Sequence, residues 1–368
     1  MHKKGFLVFI VMLVFVMAAS GCGPAATPTN APAPATAAPT NAPAVTAPTK
    51  APVVVTMRGS NPDKLVFNFD PTVKAKRNYT IAMIVKSQAA PVWESHLIAG
   101  ERAAKDMGIT FLNYAPSTAD NVAEQTAMLE DVATKGVDCV ILAPANSKAV
   151  QAPVTELVSK GIPVVYDNTL GAGDDYLSFV GVDSVQAGTI IAKTVGGLMK
   201  SEGKLLILEG VPGQQTSDDR VAAIKAELAK NYPKIEFKSV VANWMFDQGQ
   251  KAAEDTLQSW PDLKGIVSVG GNMAEGAAEA VAAAGKTGQV TIGSFDVQSP
   301  TVKAMKEGKV AFTISQGVYE QAYYSVAACV MALNGQEVPL QIRTPITVVL
   351  AADVDKYNES PEVLKNRP

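Results

Sequence analysis

Short runs of hydrophobic, often β-branched residues alternate with longer stretches whose apolar side chains recur at helical spacing. The runs lie at 80–85, 109–113, 137–142, 162–166, 204–208, 235–240, 265–269, 290–295 and 310–314. In one intervening stretch, Leu129 and Val132 belong to an apolar stripe that follows Asp120, the predicted helix cap. Runs that are apolar throughout are typical of parallel strands buried on both faces. The pattern contains more strand–helix units than one sheet holds comfortably. A boundary near 179–183 therefore predicts two α/β lobes.

The segment 1–22 predicts an export signal with a lipid attachment site. A basic start at 1–4 precedes an apolar segment at 6–19, which is shorter than the roughly 20 residues that a membrane-spanning helix needs. Small residues then lead to Cys22, so the pattern predicts a bacterial lipoprotein signal peptide with Cys22 as the lipidation site. Because Ala19 stands where Leu is usual, cleavage as an ordinary secretory signal is the alternative. Either way, the chain is predicted to be exported.

Residues 23–57 are predicted to be a linker. From 23 to 52 they are almost only Ala, Pro, Thr and Asn, too poor in large apolar side chains to bury a core. Pro-rich segments extend by about 3.1 Å per residue, which is enough to hold a folded domain away from a membrane surface. A glycosylated or merely unconstrained linker is the alternative, and it does not change what is expected of the rest of the chain.

Composition and isolated motifs argue against several functions. The chain is 47% hydrophobic and 18% charged, with a formal net charge of −3 and no basic cluster, so nucleic-acid binding is not expected. His2 and His96 are far apart, which leaves neither a Ser-His-Asp set nor a histidine metal site. The segment 271–276 lacks the lysine of a phosphate-binding loop, and 353–364 lacks the Gly and Glu of a calcium loop. We therefore expect no catalysis, no cofactor and no metal.

After Cys22, the chain contains Cys139 and Cys329. Each lies in a hydrophobic segment, the first a predicted strand and the second a predicted helix, so buried free thiols are the expectation. A disulfide between them is the alternative in an exported protein, and the sequence leaves the choice open.

Several short motifs follow one another in a fixed order behind the export signal and the linker. They lie at 80–85, 91–93 (Pro-Val-Trp), 99–104, 141–144, 161–167, 182–188, 293–296 (Gly-Ser-Phe-Asp) and 314–316 (Ile-Ser-Gln). In this order, they resemble the periplasmic sugar-binding proteins of ABC importers, with ribose-binding protein as the type member. Relatives in that family bind autoinducer-2 or rhamnose. The resemblance covers about 79–347.

The resemblance implies a type I periplasmic binding protein, that is, two doubly wound parallel-sheet α/β lobes joined by a three-crossover hinge. Residues 79–182 with 317–345 are expected to form the N-terminal lobe, and 183–316 with 346–358 the C-terminal lobe. It also implies that a small sugar, polyol or sugar-derived signal binds between the lobes and is delivered to an ABC permease with its ATPase. We expect a monomer outside the cytoplasmic membrane or in the periplasm, attached to the membrane through the lipid anchor alone.

Polar residues follow several predicted strands, at the sheet edge where parallel sheets bind ligands. Together with the family motifs, they predict a site formed by Lys86, Gln88, Trp93, Asp167, Asn168, Asp218, Arg220, Phe246, Asn272, Asp296 and Gln316. Asp167 and Asp296 are expected to accept hydrogen bonds from ligand hydroxyls, one in each lobe. Trp93 and Phe246 are candidates to cover the apolar face of a sugar. Lys86 is expected to face Asp167 or Asp296, because an unpaired buried ammonium group is costly.

Departures from the family pattern argue against ribose as the ligand. Ala90 and Asn168 replace an Asn and an Arg of the ribose binders. The family's cleft Arg aligns with Asp218, which leaves Arg220 in a supporting position, and Lys86 is similar to a Lys of the autoinducer-2 binders. Two other functions stay open: a sensor that reports to a receptor kinase or chemoreceptor, and a carbohydrate-active enzyme. The enzyme would need two carboxylates about 5–10 Å apart, such as those of Asp167 and Asp296.

Overall fold

The computed structural model describes residues 61–367. The predicted signal peptide, the lipidation site Cys22 and the linker at 23–57 lie outside the described residues and stay predictions. Within the described part of the chain, no helix combines the length and the apolar composition that crossing a bilayer requires.

Strands and helices alternate along most of the described chain. The strands are β1 (Asn61–Val66), β2 (Thr80–Ile84), β3 (Thr110–Tyr114), β4 (Cys139–Leu142), β5 (Val164–Asp167), β6 (Ser178–Gly181), β7 (Glu202–Glu209), β8 (Lys234–Val241), β9 (Leu263–Ser268), β10 (Thr291–Gly293), β11 (Phe312–Ser315), β12 (Pro339–Arg343) and β13 (Thr347–Leu350). The α-helices are α1 (Pro91–Met107), α2 (Val122–Lys135), α3 (Gln151–Ser159), α4 (Ser184–Leu198), α5 (Gln215–Asn231), α6 (Phe246–Ser259), α7 (Gly271–Ala283), α8 (Ser299–Lys306), α9 (Val318–Leu333) and α10 (Pro361–Lys365), and Val354–Tyr357 forms a 3-10 helix.

The strands form two sheets, one in each lobe. The first sheet has seven strands in the order β1-β12-β6-β5-β4-β2-β3, and all its neighbours are parallel. The second has six strands in the order β13-β11-β10-β9-β7-β8, in which β13 alone runs antiparallel to its neighbour. Helices pack on both faces of each sheet, which confirms the predicted fold class.

The strands of the first sheet are hydrophobic because helices cover both of its faces. In β2, Ile81 and Met83 pack with α1 and α9, whereas Ala82 and Ile84 pack with α2 and α3. None of the four is more than 1% exposed. Since burial of one such aliphatic side chain contributes about 1.5–3 kcal/mol, an unbroken apolar run is a reliable mark of a central strand.

Three crossovers join the lobes. The chain passes from β6 to α4, from β11 to α9 and from β12 to β13. Side chains bond the crossovers to one another, because Thr344 Oγ1 and Gln321 Nε2 both donate to the carbonyl oxygen of Gln316, each at 2.8 Å. The ligand cleft expected from the fold therefore lies beside a hinge whose crossover segments are joined by hydrogen bonds.

Two elements lie beyond the predicted lobe boundaries. Strand β1 precedes residue 79 and pairs with β12 at the edge of the first sheet. At the other end, the carboxylate of Glu359 accepts hydrogen bonds from the backbone N–H groups of Val318 and Tyr319 at the start of α9, both at 3.0 Å. The backbone N–H of Glu359 donates to Val297 in the second lobe at 3.0 Å. Burial of the Glu359 carboxylate raises its pKa to about 7. Through Glu359, the C-terminal segment therefore contacts both lobes.

Cys139 and Cys329 form a disulfide, so the expectation of free thiols is wrong. Cys139 begins β4 in the middle of the first sheet, and α9, which carries Cys329, packs on the same sheet. Their Cα atoms are 6.0 Å apart and both side chains are fully buried. The bond links β4 to α9 across 190 residues of chain, a stretch that includes the second lobe from α4 to β11.

Candidate functional site

A cavity of about 260 Å³ lies between the lobes, at the carboxyl ends of both sheets. That volume is many times what a single water molecule requires. Eight of the predicted residues line it: Lys86, Trp93 and Asn168 from the first lobe, Arg220, Phe246, Asn272 and Asp296 from the second, and Gln316 on a crossover. Because strands β2, β5, β10 and β11 end at this edge, the residues that follow them converge here.

Arg220, Gln316 and Asp296 form a hydrogen-bonded chain along one wall. Arg220 donates through Nη2 to Gln316 Oε1 at 3.1 Å and through Nη1 to the carbonyl of Val269 at 3.0 Å. Gln316 Nε2 in turn donates to Asp296 Oδ1 at 2.5 Å. Burial lowers the pKa of Arg220 to about 10, and burial raises the pKa of Asp296 against the opposing effect of the guanidinium. The wall therefore presents a fixed donor and a fixed acceptor side by side.

Lys86 occupies the opposite wall. Its Nζ donates to Thr169 Oγ1 at 2.7 Å and to Gln214 Oε1 at 3.1 Å. Burial lowers the pKa of Lys86 to about 8, and Asp120 is the charge that opposes this most strongly. Of the two carboxylates expected to face Lys86, Asp167 raises its pKa less than Asp120 does, and Asp296 is not among the charges that act on it.

Asp120 is not the helix cap that the pattern predicted. Asn121 caps α2 instead, because its side chain accepts a hydrogen bond from the backbone N–H of Glu124 at 3.1 Å. Asp120 has a left-handed backbone with φ of 56° and lines the cavity, where its Oδ1 accepts from Gln214 Nε2 at 2.6 Å. A one-residue shift in the start of the helix turns an expected cap into a candidate ligand contact.

Asp167 lies outside the cavity wall, behind it. Its Oδ1 accepts from Ser325 Oγ at 3.0 Å, and its Oδ2 lies 3.3 Å from His96 Nε2. Both Asp167 and His96 are buried, and burial raises the pKa of Asp167. The next residue, Asn168, has φ of 59° and turns into the cavity. The side chain that enters the cavity here is therefore that of Asn168 and not that of Asp167, because the left-handed backbone of Asn168 turns the chain at the end of β5.

Gln88 and Asp218 also lie away from the cavity wall. Gln88 is exposed and donates through Nε2 to the carbonyl of Ala115 at 2.9 Å, within its own lobe. Asp218 is exposed and accepts from the backbone N–H of Gly213. Residues two apart on a helix face different ways, so Arg220 points into the cavity and Asp218 does not. Arg220 thus holds the cleft position that the alignment had given to Asp218.

Several cavity residues were not predicted from the sequence. They are Asp120, Asn243, Trp244, Asp247, Glu275 and Gln298. Among the described residues, seven other than glycine have positive φ, and five of these line the cavity: Asp120, Asn168, Asn243, Trp244 and Asp296. Such conformations cost free energy and concentrate at functional sites. A hydrophobic pattern does not reveal positive φ values. The only sequence signal among these residues is a weak one, an Asn next to a Trp after a strand, which indicates a turn.

Gln214 holds the two lobes together above the cavity. Its Nε2 donates to Asp120 Oδ1 and, at 2.9 Å, to the carbonyl of Ala145, both in the first lobe. Its Oε1 accepts from Lys86 Nζ and, at 2.9 Å, from Trp244 Nε1. All the donors and acceptors of this buried amide are used, three of the four partners being in the opposite lobe. The described form of the cleft is therefore closed.

Comparison with known proteins identifies the family. A family model described as a periplasmic binding protein domain matches residues 81–337. The D-ribose/D-allose-binding protein of Pseudomonas aeruginosa is 29% identical over 242 residues, which are 63% of this chain and 75% of that protein.

Solved structures of ABC transporter solute-binding proteins share the fold. One from Actinobacillus succinogenes with bound D-allose has a TM-score of 0.72 and 26% identity, covering 76% of this chain and 100% of that one. Another from Bacillus halodurans with bound myo-inositol has a TM-score of 0.71 and 25% identity, covering 76% of this chain and 97% of that one. The resemblance inferred from the motifs is thus confirmed, and the chain belongs to the periplasmic binding protein family.

Proposed function

We propose that this protein captures one small sugar or sugar-like molecule between its lobes and delivers it to an ABC permease. The observation that carries the proposal is the closed cavity, whose polar groups come from both lobes and whose wall includes aromatic rings. A ligand that contacts both lobes stabilises the closed form over the open one.

The cavity residues suit a polyhydroxylated ligand. Asp296 can accept hydrogen bonds from hydroxyl groups, while Arg220, whose Nε has no partner among the described residues, can donate to hydroxyl and ring oxygens. Trp93 and Phe246 offer flat apolar surfaces for the C–H face of a sugar ring. The named relatives with sugar or cyclitol ligands support the same ligand class.

Binding is tested by calorimetric titration of the purified full chain with D-ribose, D-allose and myo-inositol, supplemented by a wider panel of monosaccharides and polyols. We expect one ligand per chain for at least one compound, with affinity lost in Arg220→Met. The matched control is Lys225→Met, a cation on the same helix that pairs with Glu209 outside the cavity. A folded protein that binds no compound of the panel would contradict the proposal.

Export and anchoring through Cys22 belong to the same proposal. They would place the binding lobes outside the cytoplasmic membrane, at the end of the linker. Cys22→Ala is expected to move the protein from the membrane fraction to the soluble exported fraction. Retention of the variant on membranes after a salt wash would remove the lipid anchor from the proposal.

Delivery to a permease is favoured over the two alternative functions. The relatives named above are solute-binding proteins of ABC transporters, which favours import over a sensor role. The carboxylate pair expected for an enzyme was Asp167 with Asp296, and Asp167 lies behind the cavity wall. Because other carboxylates line the cavity, an assay for glycoside hydrolysis tests this alternative, and no product is expected. Uptake of the identified ligand, labelled, is expected to be lost in a strain without this protein. Normal uptake combined with a lost transcriptional response to the ligand would favour the sensor.

A further inference from the structure

The cavity contains more carboxylates than cations. Among the described residues, those lining it include four acidic side chains and two basic ones. The acidic residues are Asp120, Asp247, Glu275 and Asp296, and the basic residues are Lys86 and Arg220. Asp247 is exposed, but Asp120, Glu275 and Asp296 are partly buried, so a neutral ligand would leave an excess of carboxylates where charges interact more strongly than in water.

Both cations already have partners within the protein. Lys86 donates to Thr169 and Gln214 and lies in the field of Asp120. Arg220 donates to the Val269 carbonyl and to Gln316 and lies in the field of Asp296. Each cation is thus matched by one carboxylate, which leaves two carboxylates without a positive charge beside them.

Glu275 is the more deeply placed of these two. It projects from α7, where its Oε1 accepts a hydrogen bond from Thr301 Oγ1 at 2.7 Å. Within the described residues, neither Glu275 nor Asp247 has an ion-pair partner. Burial raises the pKa of Glu275, and the neighbouring carboxylate of Asp296 raises it further. A positive charge entering the cavity would relieve both effects.

Aromatic rings also line the cavity. The Nζ of Lys86 lies 5.4 Å from the ring centroid of Trp93, so this ring already faces a cation. Trp244 and Phe246 also line the cavity. Ring faces attract cations through their quadrupole, and ammonium ligands are recognised by such rings.

We infer that the ligand is a polyhydroxylated ring that carries a protonated amine, and that Glu275 together with Asp296 receives the ammonium group. This inference rests on the proposed function and narrows its ligand class from sugars and polyols to amino sugars and amino cyclitols. Hydroxyl recognition by Arg220 is unchanged. Neutral analogues keep those contacts and lose the charge-assisted bond to Glu275.

The test compares ligands that differ in one group, titrated by calorimetry into the full chain at pH 7. The pairs are D-glucosamine with D-glucose, D-galactosamine with D-galactose, and amino-deoxy-inositols with myo-inositol. The N-acetyl derivative of each amine is titrated as well, as an uncharged control. In the best-bound pair, we expect the amine to bind about tenfold or more tightly than the neutral member, because hydrogen bonds to charged groups are the stronger ones. The N-acetyl derivative, which has no charge, is expected to lose this advantage.

Glu275→Gln is expected to reduce the preference for the amine to about threefold or less, because it keeps the shape of the side chain and removes its negative charge. The control is Glu279→Gln, one turn along the same helix, where the carboxylate pairs with Lys309 at the surface. Equal or tighter binding of the neutral member, or a preference for the amine that Glu275→Gln leaves unchanged, would overturn the inference and leave sugar binding intact. A folded protein that binds neither member of any pair would remove the proposed function, and this inference with it.

Discussion

Gln214 offers the sharpest prediction about closure, because its amide bonds the two lobes and does not line the cavity. Gln214→Leu keeps a side chain of similar size and removes all four hydrogen bonds. In the closed form, the variant would leave the Trp244 indole N–H and the Ala145 carbonyl without this partner, and it would deprive Lys86 and Asp120 of one bond each. In an open form, water would hydrate the same groups.

The magnitude follows from the two charge-assisted bonds, those to Lys86 and Asp120. Hydrogen bonds to charged groups contribute about 1.5–3 kcal/mol each. If only these two bonds are counted, each at about 1.5 kcal/mol, their loss destabilises the closed form by about 3 kcal/mol. This lowers ligand affinity on the order of 100-fold. Because Gln214 lies outside the cavity wall, the factor is expected to be the same for every ligand that binds.

Calorimetric titration with at least two different ligands measures this factor, and urea unfolding of the ligand-free protein measures the stability of the fold. The control is Gln250→Leu, since the Gln250 amide bonds Glu254 within α6 and does not contact the first lobe. We expect the control to bind normally and both variants to unfold near the wild-type midpoint. Affinity within about threefold of wild type in Gln214→Leu, or losses that differ widely between ligands, would refute the role in closure.

The remaining predictions concern stability and pH. Replacing Cys139 and Cys329 together by Ala is expected to lower the free energy of unfolding by about 2–5 kcal/mol, measured in guanidinium chloride; an unchanged midpoint would show that the bond does not contribute. Burial lowers the pKa of Lys86 to about 8, so between about pH 8 and about pH 10.5 the unfolded chain holds a proton that the folded one has lost, and stability rises with pH by up to about 3 kcal/mol. Urea unfolding at several pH values is expected to show this rise in the wild type and not in Lys86→Met; equal profiles would contradict it. Asp167→Asn is expected to lower stability by about 1–3 kcal/mol with ligand affinity within about threefold, whereas Asp296→Asn should weaken binding and barely change stability; the reverse pattern would return Asp167 to the ligand site.

The apolar runs located the central strands because those strands are buried on both faces, as in β2 and β4. Strand β1 escaped the pattern because it lies at a sheet edge and begins with the polar stretch Asn-Pro-Asp-Lys. Strand β6 is short and was interpreted as part of the break between the lobes. An edge position alone does not hide a strand, since the hydrophobic runs at 109–113 and 235–240 correspond to the edge strands β3 and β8.

At the site, the sequence predicted which segments line the cavity, but in two of them it did not predict which residue faces the cavity. Asp167 and Asn168 are adjacent, and the backbone φ of Asn168 decides which of them faces the cavity. Asp218 and Arg220 are two positions apart on α5, and helix phase decides between them. The sequence did not single out Glu275, because it lies in the second turn of α7 and not directly after a strand, where polar residues were expected to form the site.

The most direct test of ligand binding between the lobes is native mass spectrometry of the full chain purified without unfolding. We predict a fraction of molecules carrying a single adduct with the mass of one small polyhydroxylated compound, released on unfolding and absent from Arg220→Met. Incubation of stripped and refolded protein with the released compound should restore the adduct. A protein that carries no adduct, and that takes up none when incubated with the sugar, polyol and amino-sugar panels, would contradict the central claim.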